Sequence, residues 1–561
     1  MATRRLFPFA LLSCLLASTA PAAQSSFAPP GWYSGDTHAH IQACPQCASC
    51  PDASLDSVYA SMQANGLDLA CVQLWNDTSD PSGAEYYANY AALVTGAEDP
   101  LTLADPDRAL QIGLEVSGFL ASQYGHVQGM GIQSGVIPNA VYPTPVLDFF
   151  RAQNPQALTG YAHVRWWDDY APHTGLQVQH IGSSMAPMDL ALGKFDFLEA
   201  SVFVPGLDVR GMQYKLLRAG LRVPLVGGSD NGCLQTNIGD IRTYARIESG
   251  PFGFDAWTEA VKAGRTSIAL GSERFLDLEV DGVGIGGQLE LAPGPVNVVA
   301  TLHAEPGAPQ NGRIRIVHDG DLVAAQVYSL PAGGSFSFST TLQLSKSGWI
   351  SAIETSGADV RAHTSPVYAV VDGQPIANAL DAEYWADLGQ DLIADIGLYS
   401  TGSDTQAVLD HLESAVAVFD ALAALDNPLP AGVTRLGSST PTCTGEPVAI
   451  GLRGQPQVGD PDFAWTCLHG APNAPGVLLV GDTSTPAGFA AAGLTLYVDP
   501  LGPVFLSLPT SFHSGGYAQV DLVPPPAAAG LSFTAQFVGF SLELDCFGTF
   551  ASDALTIAFA P

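Results

Sequence analysis

Gly35-Asp36-Thr37-His38-Ala39-His40 decides how the first half of the chain is read. Side chains alternate faces along an extended backbone, so the imidazoles of His38 and His40 point the same way. Two nitrogens offered to one ion are a common beginning of a metal site. The pair alone says little, because two histidines at a polar strand end also arise by chance. Its weight comes from the carboxylates and histidines that recur at later strand ends.

Outward from this stretch, helical and extended patterns alternate. Leu55, Val58, Tyr59 and Met62 repeat with helical period, and Asn65-Gly66 stops them. Residues 67–75 read as a buried strand, with Asn76-Asp77 at its end. A helix is expected over 84–94, a strand over 109–116 carrying Glu115, and an extended stretch over 125–132 carrying His126. A helix over 144–152, a strand over 159–164 carrying His163 and a strand over 195–200 ending near Glu199 follow. A helix over 211–219 and a strand over 223–230 tipped by Asp230 complete the series. Short apolar strands alternating with helices predict a parallel α/β barrel or sheet. In a parallel barrel the strand ends open on one face, where His38, His40, Glu115, His126, His163 and Asp230 would meet.

After Arg274 the texture changes. Leu276-Asp277-Leu278-Glu279-Val280 alternates strictly, and strands separated by Gly, Pro, Asn and Asp turns run on to about Val371. This predicts an antiparallel β-sandwich over 276–372. Residues 373–426 are rich in Ala, Leu and Asp at helical spacing, and 433–561 read as a second all-β domain. The expected whole is multidomain α/β + β: barrel 31–275, sandwich, helical segment, C-terminal β-domain.

Composition bounds the function. A chain of 561 residues exceeds one hydrophobic core, and 47% hydrophobic residues exclude disorder. A net charge of −33 with Lys+Arg 21 argues against nucleic acid and anionic membrane surfaces as partners. The expected partner is a small-molecule substrate. Residues 1–23 have the form of a signal peptide: Arg4-Arg5, the apolar run Leu6–Leu16, then small residues at Ala20-Pro21-Ala22-Ala23. That predicts export, with cleavage near Ala22 or Ala23 favoured over lipidation at Cys14. No later stretch is long and apolar enough for a membrane span. Cys44, Cys47 and Cys50 could bind zinc or an iron–sulfur cluster, but in an exported protein disulfides are favoured, with Cys71 or Cys233 as a partner. Cys443, Cys467 and Cys546 are expected to staple the last domain.

The barrel segment resembles the PHP (polymerase and histidinol phosphatase) superfamily, and within it the CehA/McbA metallohydrolase family. The resemblance rests on Gly35–His40, Gly113-Leu114-Glu115-Val116-Ser117-Gly118-Phe119, Gly125-His126, Tyr161-Ala162-His163 and Gly227-Gly228-Ser229-Asp230. Gly239-Asp240-Ile241-Arg242-Thr243-Tyr244, the stretch 257–266 and Thr364-Ser365-Pro366-Val367-Tyr368 add to it, so it covers roughly residues 31–372. It implies a distorted (β/α)7 barrel. It also implies that His38, His40 and Asp230 hold one ion, that Glu115 bridges, and that His126 and His163 complete a second position. The superfamily often has Asp-His where this chain has Asn76-Asp77, and a histidine where it has Gly232. Those departures imply one or two ions rather than three.

The donor types suit Zn, Mn or Fe. A divalent ion activates water and polarises a carbonyl or phosphoryl oxygen, so no serine or cysteine nucleophile is needed. Asp230 or Asp77 could take the water's proton, and Arg242 could pair with an anionic substrate group. Glu199 reads either as a partner orienting a histidine or as a buried structural carboxylate. The expectation is an exported metal-dependent hydrolase of an ester, carbamate or phosphoester. The alternative is a catalytically degenerate barrel in a secreted binding or surface protein.

Overall fold

The structure is a computed structural model. It describes residues 28–41, 54–78, 107–119, 124–132, 137–164, 183–200, 210–231 and 236–561, the last without 272, 308, 358, 400–402, 427–428, 444, 462, 514 and 543–546. The leader, the helix expected over 84–94, Cys14, Cys44, Cys47, Cys50, Cys233, Cys546 and Gly232 lie outside the described residues.

The first region is built on strands β1 (Trp32–Ala39), β2 (Leu69–Asp77), β3 (Ala109–Ser117), β4 (Val127–Met130), β5 (Leu158–Tyr161), β6 (Phe197–Ala200), β7 (Leu225–Gly227), β8 (Ile241–Arg246) and β9 (Thr266–Leu270). They lie in the order β9-β8-β1-β2-β3-β4-β5-β6-β7. All eight residues of β1 and all nine of β3 are buried. Strands covered on both faces read as continuous apolar runs, which is how 67–75 and 109–116 read in the sequence.

The expected parallel barrel needs correction. β1, β2 and β3 are parallel, as are β5, β6 and β7, but β4 runs against β3 and β5, and β8 against β1 and β9. The sheet is mixed. The link from Ser117 to Val127 is too short for the helical crossover that a parallel β4 would need. The sheet nevertheless curls back on itself. Just past β7, the Asp230 amide donates to the His38 carbonyl at 2.8 Å, returning the end of the series to β1.

Helix α1 (Leu55–Asn65) starts with a capping box between Ser54 and Ser57 and ends at Gly66, whose φ of 61° is left-handed. Helices α2 (Thr144–Gln153), α3 (Ala186–Ala191), α4 (Arg210–Ala219) and α5 (Phe254–Lys262) follow.

Beyond β9, the strands Arg274–Val280, Gly294–Ala304 and Ser335–Leu344 form one antiparallel sheet. It packs on strands Gln310–His318, Gly348–Ser356, Asp359–Thr364 and Val367–Val371 around a core that includes Phe275, Ile314 and Ile350. That second layer is not separate from the first region. Asp359–Thr364 pairs with β9 through Ala362, His363 and Thr364, so one sheet runs through both.

Helices α6 (Ala379–Tyr399) and α7 (Ser403–Asp426) form the helical segment. Their apolar faces, with Trp385, Leu412 and Phe419, share a core with the first region. Arg218 of α4 clamps Asp381 of α6 with two hydrogen bonds of 2.6 and 2.9 Å. Asp189 of α3 faces His411 of α7 at 2.8 Å. The last region has its own core around Trp465, Leu478 and Phe537. Its larger sheet runs Val433–Leu436, Gly548–Ala558, Ser532–Ser541, Pro475–Gly481, Phe505–Ser511. Cys443 is disulfide-bonded. Cys71 and Cys467 are buried free thiols, which corrects the expectation that they could join disulfides. No helix among the described residues is long and apolar enough to cross a membrane.

Candidate metal centre

His38 and His40 lie at the end of β1 with Thr37 and Ala39 between and before them, and both are buried. Each ring has its Nδ1 committed. His38 Nδ1 donates to Glu199 Oε1 at 2.9 Å, and His40 Nδ1 donates to the Gln73 carbonyl at 2.9 Å. A carboxylate and a carbonyl only accept, so both protons sit on Nδ1 and both Nε2 atoms keep a lone pair. Those two Nε2 atoms stand 3.0 Å apart.

Two carboxylates face the same point. Glu115 Oε2, near the end of β3, lies 3.2 Å from His38 Nε2 and 3.5 Å from His40 Nε2. Asp230 Oδ1 lies 3.2 Å from His40 Nε2 and 3.7 Å from His38 Nε2. The other oxygen of Glu115, Oε1, lies 2.8 Å from His126 Nδ1 and 3.1 Å from His163 Nε2. Two candidate groups result, His38–His40–Glu115 and Glu115–His126–His163, sharing the two oxygens of one carboxylate.

The donor set fits a cation. Lone pairs and carboxylate oxygens repel one another unless a positive charge lies between them. A four-coordinate zinc with bonds of about 2.0–2.1 Å would hold its ligand atoms about 3.3–3.4 Å apart, close to the observed 3.0–3.7 Å.

The supports are as ordered as the donors. Glu199, wholly buried on β6, also accepts from Gln128 Nε2 at 2.5 Å, from Thr37 Oγ1 at 3.3 Å and from the His163 amide at 3.1 Å. The Gln128 amide also stands 2.8 Å from His38 Nδ1, a contact between two donors that the bond to Glu199 decides. Asn231 grips the His40 backbone from both sides, accepting from its N–H at 2.7 Å and donating to its carbonyl at 3.1 Å. Asp36 ties β1 to the loops at Ser229 and Gly239, accepting from the amides of His38, Ser229 and Gly239. Two residues of the cluster have left-handed backbone, His163 at φ 32° and Asp230 at φ 45°. Such conformations are costly for residues with a Cβ and persist where the surroundings hold them. At Gly228 a Cβ would come within 2.5 Å of the His38 Cβ and 2.7 Å of Glu199 Oε2, so the strand end needs glycine there.

The charges sustain each other. Burial opposes a proton on His38, but the charges of Glu199, Glu115 and Asp230 outweigh it and raise the imidazole well above its ordinary value. Burial would raise the Glu115 carboxyl, yet the His38 charge and the hydrogen bonds from three histidines hold it well below the carboxylate range. Asp230 is depressed against its own burial by His38 and His40. Acids that favour a proton on His38 favour a metal cation in its place.

The six residues expected as ligands therefore lie together, in two groups that share Glu115. Of the two further residues assigned to chemistry, Arg242 does not join them. Arg242 needs correction: its guanidinium is buried and donates to the Gly239 carbonyl at 2.9 Å and the Asn65 carbonyl at 3.1 Å, closing the end of α1. Its donors hold backbone rather than face the donor cluster. Asp77 ends β2, opposite Ser117 of β3, and its side chain lies outside the described residues. Gln128 and Asn231 were not singled out from the sequence. Their only signal is adjacency to His126 and Asp230.

No protein-family model and no curated protein matches the chain. Among solved structures, it is similar to a two-domain protein from Bacteroides vulgatus containing a predicted PHP-like metal-dependent phosphoesterase. That match has 13% identity and a TM-score of 0.32, over 60% of this chain and 95% of the other. A transglutaminase of red sea bream matches at 8% identity and TM-score 0.15, over 61% and 41% of the chains. At these scores the likenesses decide neither fold nor activity. The donor geometry stands without them.

Proposed function

We propose that the protein is a metal-dependent hydrolase of the PHP type, acting on an ester, carbamate or phosphoester of a small molecule. One observation carries the reading: two imidazoles with committed Nδ1 protons turn their Nε2 lone pairs onto carboxylate oxygens of Glu115 and Asp230. The first position takes His38, His40, Asp230 and Glu115 Oε2. The second takes Glu115 Oε1, His126 and His163. Zn, Mn or Fe suits these donors. A bound divalent ion supplies an acidified water and polarises the acyl or phosphoryl oxygen.

The chain's own residues do the rest. Glu199 and the Gln73 carbonyl fix the tautomers and ring planes of His38 and His40. Glu115 sets the spacing of the two positions by offering one oxygen to each. Asp230, whose amide donates to the His38 carbonyl, would accept the nucleophile's proton. Export through a leader at residues 1–23 belongs to the same proposal.

The test uses the full-length protein loaded with Zn, Mn or Fe and chromogenic phosphate, carboxyl and carbamate esters. We expect chelator-sensitive turnover of one class, and loss of both metal and turnover in His38→Ala and Asp230→Ala. Bound metal without turnover on any class would favour the binding-protein alternative. Full metal occupancy in both variants would refute the ligand assignment.

A further inference from the structure

The strand Asp321–Leu330 is an outer edge of the large sheet. It pairs with Gln310–His318 on one side and, among the described residues, with no strand on the other. An open edge invites another chain to add to the sheet, and proteins blunt such edges with short length, charge, proline or a bulge. Other strands at the ends of sheets carry those devices. Leu225–Gly227, Gln288–Leu291 and Val433–Leu436 have three or four residues, and Phe505–Ser511 contains Pro509. Ser335–Leu344 is as long, but turns Ser337, Ser339, Thr341 and Gln343 outward. Asp321–Leu330 has ten residues, neither Pro nor Lys, and a single charge at its first position. A bulge at Val323 bends its start, which leaves Ala324–Leu330 regular and uncharged. Leu322, Val323 and Val327 are 51%, 43% and 60% exposed.

The occupant that fits is a second copy of this chain. Val327 lies at the middle of Ala324–Leu330. In an antiparallel pair about a twofold axis there, Val327 meets Val327 of the second copy, Ala325 meets Ser329 and Gln326 meets Tyr328. No charge opposes a like charge, and the most exposed apolar side chain of the strand is covered on both copies. Two chains of net charge −33 repel, so their contact needs a stretch without acids. The neighbouring strand offsets the repulsion locally: Arg313 and Arg315 pair with Val327 and Ala325 and share their face. Because both copies use the same edge, the pairing closes at two and does not grow into a filament. We propose that the protein forms a twofold dimer by joining the Ala324–Leu330 edges of two copies into one continuous sheet. So short an edge buries less than a standard interface, which sets the dissociation constant at about 1–100 μM.

Sedimentation velocity of the full-length protein tests this. The parent should pass from monomer to dimer across about 1–100 μM. Added salt should strengthen the dimer, because it screens the repulsion between copies. Val327→Lys puts two ammonium groups across the axis. It should weaken the dimer at least about tenfold with an unchanged melting temperature, since the side chain is exposed. Ser339→Lys, on the other long edge, should dimerise like the parent. A short bis-maleimide linker should join two copies of Val327→Cys. It should not join Ser329→Cys, whose counterpart lies about four residues away along the strand. A parent that stays monomeric at about 100 μM, a dimer weakened by salt, Val327→Lys that dimerises like the parent, or no cross-link in Val327→Cys would each overturn the proposal. Dissociation by Ser339→Lys would place the contact on the other edge and overturn it as well. Metal binding and hydrolysis are measured separately, so failure here leaves that reading untouched.

Discussion

His38 Nδ1 donates to Glu199 Oε1 at 2.9 Å, and that one carboxylate also receives the His163 amide, so Glu199 ties together a residue from each candidate donor group. Glu199→Gln keeps the shape but loses the charge that fixes the His38 tautomer. We expect metal affinity to fall about 10–100-fold, measured by competition with a chromogenic chelator. Affinity equal to the parent's would reduce Glu199 to a buried structural acid.

Glu115 gives one oxygen to each donor group. His126→Asn and His163→Asn should therefore lower metal content by one equivalent and leave the ion at His38 and His40. Glu115→Gln should weaken both positions together. Elemental analysis of the purified variants distinguishes the patterns. Two equivalents retained in His163→Asn would mean that the second group is not a metal position.

Arg242 holds the carbonyls of Asn65 and Gly239. Arg242→Met should leave those acceptors unpaired in a buried place and cost about 2–4 kcal/mol of stability. Turnover per folded molecule should be unchanged. A fall in kcat with an unaltered denaturation midpoint would instead put Arg242 in the chemistry.

Burial raises the Asp277 carboxyl to about 6, against the Leu278 amide at 2.8 Å and the Arg246 charge, which act the other way. An unfolded aspartate titrates near 3.9. Between those values the folded chain binds more protons than the unfolded one, so this group's contribution to stability falls as pH rises from about 4 to about 6. Below about 4 both states are protonated and the cost is absent. Asp277→Asn cannot ionise. Its stability relative to the parent should grow across that window by up to about 3 kcal/mol, read from denaturant unfolding at pH 4 and pH 7. A difference independent of pH would show that Asp277 is not held in its neutral form.

The convergence of these residues was legible because strand ends announce themselves: an apolar run stops, and a histidine or acid follows. His38, His40, Glu115 and Asp230 all obey that pattern. Strand direction was not legible, because β4 is four residues long and its orientation is set by the length of the link from Ser117. Arg242 was read as a partner for an anionic substrate group, yet a guanidinium serves equally well on backbone carbonyls, and only the fold brings Asn65 within its reach. The role of Glu199 stayed open for the opposite reason. Its position on β6 was clear, but the histidine it holds lies 161 positions earlier in the chain. Cys71 was offered as a disulfide partner on compartment alone, whereas its thiol is sealed inside the core of β2.

The pairing of β9 with Asp359–Thr364 has a consequence for anyone wishing to excise the donor cluster as a minimal unit. A cut near residue 275, where the texture of the chain changes, would strip β9 of its neighbour and leave a raw, sticky border of unpaired amides and carbonyls. A cut near 372 would still bare the apolar flank on which Trp385 and Phe419 lie. The smallest portable piece therefore ends after α7, near Asp426, and a fragment stopping at either earlier point should be recovered as aggregate rather than as folded protein.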